Sequence, residues 1–329
     1  LSPKTITLPY GGGGEETQQL IKGLFYRHFS NPILERGEDS ATIEIGSPIA
    51  TTIDGFTVSP LFFNGGSIGK LAVVGTINDL AMVGARPRYL TLSFVIEEGL
   101  SWEVLERVVR EIGELCRRLG VEVVAGDTKV VPKGAVDQLF ITSAGIGEVV
   151  KPGISCRNLK PGDKILVSGE VGRHGAVILA HRYQLETDLT SDCAPVWPQV
   201  EALLNGGVTP SAMRDGTRGG VSAVLNEWAE SSQVEIEIWE ERIPVPDQVV
   251  GLCELFGFDP LDLANEGTFL VAVPPGEAER ALEILREFNR NAAIIGEVTG
   301  PGGRVKLKTP WGTTRYLELP KGELLPRIC

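Results

Sequence analysis

The segment from about Ile68 to Val83 is the tightest constraint on how this chain can fold. It reads as a single helix, with Leu71, Val74 and Leu80 among its buried residues. Inside it stands the pair Asn78-Asp79. Two adjacent polar residues in an otherwise apolar helix are costly to bury without partners. Either they occupy its solvated face or they point into a site. Gly84 ends the helix and Pro87 prevents its continuation.

The surrounding pattern alternates strands and helices. Strands are expected around Thr42–Ile45 and Ala50–Val58, the second carrying Asp54-Gly55, and the loop Asn64-Gly65-Gly66-Ser67 leads into the helix. Arg88–Ile96 is a dense apolar strand. Ser101 caps a long helix that Gly120 stops. Val121–Ala125 reads as a buried strand with Gly126-Asp127-Thr128-Lys129 at its end. An acid, a hydroxyl and an amine at a strand's carboxyl end are well placed for a ligand. Leu139–Gly147 is a further strand. Lys151-Pro152-Gly153 and Lys160-Pro161-Gly162 read as a connector, which puts a boundary near residue 152.

Beyond the connector, strand Ile165–Ser168 runs into a glycine-rich turn holding His174. A loop histidine is more often structural or solvated than a catalytic base. Arg214-Asp215-Gly216-Thr217-Arg218-Gly219-Gly220 combines an acid, guanidinium groups and free backbone N–H groups ahead of a helix, which suits an anion or a metal–phosphate pair. Asn265-Glu266-Gly267 precedes the apolar strand Thr268–Val273. It is either a general-base position or a turn with a solvated carboxylate. Near the start, Gly11, Gly12, Gly13 and Gly14 precede a helix opened by Glu15-Glu16. Such a run can receive phosphate on free N–H groups, and it serves equally well as a terminal linker. It is not a Walker A loop, because no Gly-Lys-Ser/Thr follows.

At 329 residues the chain is long for one core, so two domains are expected. The alternation gives an α/β class, layered in the α+β sense. A net charge of −12 argues against nucleic acid or an anionic membrane surface as the main partner. It leaves room for a nucleotide held through metal ions or amides. Cysteines number 5, an odd count with no C-x-x-C pair, which points away from a disulfide framework and toward a reducing cytoplasm. No apolar run approaches membrane-spanning length.

Acids at Asp54, Asp79, Asp127, Asp215 and Glu266, with glycines and little Lys or Arg beside them, suggest phosphates held through Mg²⁺. The chain ends Pro326-Arg327-Ile328-Cys329. A terminal thiol can enter a pocket, take up a group and withdraw, since thiolate is a strong nucleophile. By itself the tail reads equally as a frayed end. The segment after Leu319 spans up to roughly 35 Å when extended. The residues alone thus lead to a Mg-ATP-dependent enzyme with a mobile thiol, and no further.

Several motifs in order resemble one family. They are the Gly-rich start, Thr51-Thr52-Ile53-Asp54-Gly55-Phe56, Pro60 to Ala72, Asn78-Asp79-Leu80-Ala81, Gly126-Asp127-Thr128-Lys129-Val130-Val131, Asp215 to Gly220, Ala264-Asn265-Glu266-Gly267 and the Pro-Arg-Ile-Cys ending. The chain is similar to the HypE family of hydrogenase maturation proteins over nearly its whole length. Tyr10 stands where that family often has His, and Ile53 interrupts a usual Thr-Asp step.

The resemblance implies a PurM-like two-domain fold, that of aminoimidazole ribonucleotide synthetase. Residues 1–151 would form an ATP-binding domain whose strands close a barrel across a homodimer. Residues 152–319 would form a mixed sheet with helices, and 320–329 a mobile tail. It implies that HypF, a carbamoyltransferase, places a carboxamide on Cys329. ATP then drives its dehydration to a thiocyanate, and the cyano group passes to iron on the HypC–HypD complex. Expected nucleotide contacts are the four glycines, Asn78, Asp79, Asp127, Thr128, Asp215, Arg218 and Asn265. Asp54, Asp79 and Asp127 are the candidate Mg²⁺ ligands, Lys129 the positive charge at the departing oxygen, and Glu266 the base at nitrogen. Alternatives are a selenophosphate- or thiamine-phosphate-type enzyme of the same fold, or a carrier that only presents the thiol.

Overall fold

The computed structural model describes residues 5–11, 15–36, 41, 43, 48–319 and 327–329. Gly12 to Gly14, most of the strand expected at 42–45, and residues 320–326 of the tail lie outside them. Two short helices, α1 (Glu15–Leu20) and α2 (Tyr26–Phe29), flank a π turn near the start. Then follow β1 (Ile49–Phe56), a two-residue hairpin of β2 (Phe62–Phe63) and β3 (Gly66–Ser67), α3 (Ile68–Met82), β4 (Ala85–Glu97), α4 (Trp102–Leu119), β5 (Glu122–Val131) and β6 (Leu139–Val149). Strands β1, β6, β4 and β5 form one sheet in that order, antiparallel except for the β4–β5 pair.

Period-two alternation decides what faces α3. Along β1, Thr52, Asp54 and Phe56 turn inward while Ile49 and Ile53 stay 58% and 67% exposed. Along β4, Leu90, Leu92, Phe94 and Ile96 are buried beneath α3 and α4. The Ser67 hydroxyl caps α3 by accepting from the Lys70 N–H, and Gly120 closes α4 in the left-handed conformation. Pro87 sits inside β4 rather than in a turn, and β4 has a register irregularity there.

One expectation about β5 is corrected. Gly126 to Lys129 do not follow the strand's end; they lie within it, because β4 continues to pair as far as Glu97 opposite Val131.

The second half contains β7 (Lys164–Val167), α5 (Arg173–Arg182), α6 (Trp197–Asn205), β8 (Ala212–Asp215), α7 (Gly220–Ser232), β9 (Val234–Trp239), α8 (Asp247–Phe256), β10 (Phe269–Val273), α9 (Ala278–Phe288), β11 (Ala293–Pro301), β12 (Val305–Lys308) and β13 (Thr314–Leu317). Their strands make a mixed seven-stranded sheet, ordered β13-β12-β9-β11-β7-β10-β8. Alternate residues of its central strands feed two cores. Ile165, Val167, Leu270 and Ala272 meet α7, while Leu166, Phe269, Val271 and Val273 meet α6 and α9. A strand covered on both faces reads as an unbroken apolar run, and β10 does.

Helix α3 belongs to both halves. Its Leu71 and Val74 lie in the first core, and Ala81 and Met82 lie in the core of α6 and α9. That is why thirteen of its fifteen residues are buried, Asn78 among them.

Candidate functional site

The site forms where α3, β1 and the loops of the second sheet meet. Asp79 on α3 accepts a hydrogen bond from the Thr52 hydroxyl at 2.7 Å. Asp54, two residues along β1 on the same face, lies close enough to Asp79 for the two carboxyls to act on each other. Burial first, then the Asp79 charge, pushes the Asp54 carboxyl up to about 6. Asp215, at the end of β8, is buried and pushed up to about 7 by burial and then by Asp79 and Asp54. Glu266 is raised well above the usual carboxylate range by burial and then by Asp215, Asp192, Asp54 and Asp79. These acids form one electrostatic cluster, and Arg218 stands exposed beside it, its charge favouring ionisation of Asp54.

Two buried asparagines build the cluster. Asn78 donates to the main-chain oxygens of Ala194 and Glu266 at 3.1 and 3.3 Å and accepts from the Val196 N–H at 2.9 Å. Asn265 accepts from the Gly172 N–H at 2.7 Å and donates to the Gly216 and Leu263 oxygens at 2.9 and 3.2 Å. Both side chains are committed to main chain, so they shape the site from behind. The Asp192 carboxylate accepts the N–H groups of Glu266 at 3.1 Å and Gly267 at 3.0 Å. A Cβ on Gly267 would come within 1.9 Å of the Asp192 carbonyl oxygen, so this approach requires glycine. Glu266 is thereby held against α3, with Oε2 3.9 Å from where a Cβ on Gly75 would lie.

At the Asp215 loop, Gly219 and Gly220 both have positive φ, of 79° and 59°. A Cβ on Gly220 would meet the Leu261 oxygen at 2.3 Å. The pair turns the chain abruptly into α7 and leaves Arg218 at the bend.

The end of the tail is seated in the site. The Thr57 N–H donates to the main-chain oxygen of Cys329 at 2.8 Å, and the Ser59 N–H to that of Arg327 at 3.3 Å. The Arg327 guanidinium donates to the Thr57 oxygen and to Asp137, at 2.8 and 2.7 Å, and lies over the Phe140 ring. Arg182 donates to the Arg327 oxygen at 2.5 Å. Ile328 is buried in the first core. The Cys329 thiol is pushed up to about 12, by burial first and then by Glu266, Asp54 and Asp215, with Arg218 opposing. The sulfur therefore lies within the field of the acid cluster.

Not every expected residue joins the site. Asp127 pairs in register with Ser93, while Asp54 pairs with Ser143, which pairs with Leu92. Ser93 and Leu92 face opposite sides of the sheet. Asp127 thus lies on the other face and at the opposite edge from Asp54, and Lys129 goes with it, its Nζ 2.9 Å from Asp127 Oδ1. Within one chain, Asp54 and Asp79 converge with Asp215 and not with Asp127. Thr128 stays on β5 beside Asp127. Among the described residues, no three His, Cys, Asp or Glu side chains form a metal-binding group by themselves. Gly11 closes a 3-10 turn over Leu8–Gly11. His174 is also corrected: it lies in the first turn of α5, fully buried, not in a loop. The sequence assigns no site role to Thr52, Asp192 or Arg182. Thr52 was legible from the alternation of β1. Asp192 lies between α5 and α6, where no glycine or periodic pattern marks it.

Comparison with known proteins places this geometry in a family. Residues 37–149 match the AIR synthase related protein N-terminal domain, and residues 160–308 match its C-terminal domain. Carbamoyl dehydratase HypE of Escherichia coli (strain K12) is 46% identical over 336 residues, covering 98% of this chain and 99% of that protein. A crystal structure of hydrogenase maturation protein HypE in complex with ATP matches with a TM-score of 0.96 at 44% identity, covering 99% of this chain and 100% of that one. A HypE chain from a crystal structure of the HypE–HypF complex matches with a TM-score of 0.80 at 45% identity, over 92% of this chain and 99% of that one. The chain belongs to the HypE family of carbamoyl dehydratases, built on the two-domain AIR synthase fold.

Proposed function

We propose that the chain dehydrates a carboxamide carried on the Cys329 sulfur to a thiocyanate, at the expense of ATP, as a step in hydrogenase maturation. The observation that carries this reading is the seating of Cys329 just past β1, where the Thr57 N–H holds its main-chain oxygen at 2.8 Å and its sulfur feels the charges of Glu266, Asp54, Asp215 and Arg218. An uncharged thiol or thiocarboxamide can sit among carboxylates, whereas a thiolate is repelled. The docked sulfur is therefore poor as a nucleophile and suitable as a carrier. Loading belongs to the undocked tail, with HypF as the donor. Cyanide delivery to HypC–HypD belongs there as well. We place the work in the cytoplasm; among the described residues no helix is long and apolar enough to cross a membrane.

The chemistry assigns work to the residues. The carboxamide oxygen attacks the γ-phosphorus of ATP while one N–H proton is lost, giving an imidoyl phosphate on sulfur and releasing ADP. Removal of the second N–H proton expels phosphate and leaves S–C≡N. Glu266 takes protons from nitrogen: its carboxylate is made more basic by burial and by four neighbouring acids. Arg218, whose charge already acts on the Cys329 sulfur, offsets charge growing on the oxygen. Lys129 can do so only across a subunit boundary. One or two of Asp54, Asp79 and Asp215 would hold Mg²⁺, with phosphate oxygens completing its shell. The mutual repulsion of these acids fits a cation. Bound there, it would neutralise phosphate charge.

We divide the chain into residues 1–151, 152–319 and 320–329, and infer a homodimer through the first sheet. Strands β1 and β5 are its two edges, and Ile49 and Ile53 project, exposed, from the face away from α3. Open edges beside an apolar face call for cover. Light scattering at micromolar concentration should give a dimer for the wild type and a monomer for Ile53→Asp. A monomeric wild type contradicts the inferred barrel.

Glu266→Gln keeps size and hydrogen bonding but cannot accept a proton at neutral pH. It should carry the carboxamide on Cys329 yet convert it ~10²–10⁴ more slowly than wild type, as followed by single-turnover mass spectrometry. Conversion at the wild-type rate removes Glu266 as the base.

The raised thiol value sets a pH dependence. A group with a raised value in the docked state favours docking while it is protonated. That contribution is complete below the ordinary cysteine value of 9.0 and is lost as pH climbs toward about 12. Alkylation of Cys329 should therefore rise well above pH 9 in the intact chain. An ordinary thiol titration near 9 contradicts the seating.

A further inference from the structure

His174 is fully buried, and the reaction just described does not use it. Its Nε2 lies 2.8 Å from the main-chain oxygen of Ile328, and its Nδ1 lies 2.9 Å from the Ser191 hydroxyl. A carbonyl oxygen only accepts, so Nε2 must carry the proton. The Ser191 oxygen already accepts from the Cys193 N–H at 3.0 Å, which leaves its own proton to donate to Nδ1. The relay runs one way: Cys193 N–H to Ser191, Ser191 O–H to Nδ1, and Nε2–H to the tail. The Phe63 ring meets the imidazole edge-on, with centroids 5.3 Å apart, and holds its plane. Burial keeps the ring neutral, as this tautomer requires.

We propose that His174 is the positioning residue that latches the tail in its docked state, with Ser191 setting the tautomer that makes the latch a donor. The geometry gives the latch its sense. When Ile328 leaves, a buried N–H loses its acceptor, which is costly. When Ile328 returns, no group needs to reorient. Arg182, at the other end of α5, donates to the next tail oxygen, that of Arg327, so one helix grips two consecutive peptide units.

The consequence for catalysis rests on the dehydration reading above, but the first test does not. Cys329 in the full-length protein is labelled with a maleimide, with no nucleotide or carbamoyl donor present. Residue-specific labelling is read by peptide mass, since Cys116, Cys193 and Cys253 are buried and Cys156 is partly so. His174→Leu keeps bulk and loses the donor. His174→Asn can still pair with Ser191 but falls short of Ile328. His174→Gln places an amide nitrogen near the Nε2 position. Cys329 should label roughly ten-fold faster in the Leu and Asn variants and within about two-fold of wild type in the Gln variant. Ser191→Ala should give a smaller increase. Equal labelling across all variants overturns the latch. An equal increase in Leu, Asn and Gln also overturns it, because lost packing would then account for the effect. If the Leu variant fails to fold, the contrast between Asn and Gln still decides. In a second measurement, transfer of a carbamoyl group from HypF to Cys329 should not slow in the Asn variant. A general structural defect would slow it together with dehydration.

Discussion

The side chain of Asn78 joins the two halves of this molecule, and the site depends on that junction. It projects from α3, whose ends lie in separate cores, and its amide grips the main chain at Ala194, Val196 and Glu266. Asp79, the next residue, faces β1 and meets Thr52. One pair of adjacent residues therefore locks the second half in place and presents a carboxylate to the first. The cost of burying Asn78 is met because its donors and one acceptor position are satisfied. Substitution by an apolar residue would strand the main-chain groups it serves.

The acid cluster is an unstable arrangement that the rest of the fold sustains. Asp54, Asp79, Asp215 and Glu266 come from two strands, a helix and a loop, and each of the three aspartates raises the proton affinity of at least one other member. Such a cluster rejects an anion and tolerates a neutral group or a cation. That selectivity matches a cycle in which an uncharged thiocarboxamide enters, protons leave its nitrogen, and a thiocyanate departs. The seated tail links chemistry to conformation: ionisation of the thiol favours release, and protonation or acylation favours return.

Much of the fold was legible in the sequence. The helix at 68–83 and the apolar strands follow from periodicity, glycine stops and proline. Acids on β1 and α3 were legible because a polar pair in an apolar helix needs a purpose. Contacts set by register and by distant loops were not legible. Asp127 resembles Asp54 as a motif acid, yet pairing with β4 puts it on the other face. His174 follows a glycine-rich turn and so reads as loop, although α5 begins one residue earlier. Asp192 carries no local signal; only the folded chain brings its carboxylate to the Glu266 and Gly267 amides. The tail reads as a mobile end, and its docking depends on two stretches far apart in the sequence, Thr57 and Ser59 just after β1 and His174 and Arg182 on α5.

The central claim is that the Cys329 sulfur carries the group while the acid cluster dehydrates it. Intact-mass analysis with mapping of the final peptide tests this directly. The protein is incubated with HypF and carbamoyl phosphate, with and without excess ATP for the second step. The account predicts a carboxamide on Cys329 that persists when ATP is withdrawn and loses one water when ATP is restored. A modification at another cysteine, or loss of water without ATP, would contradict it.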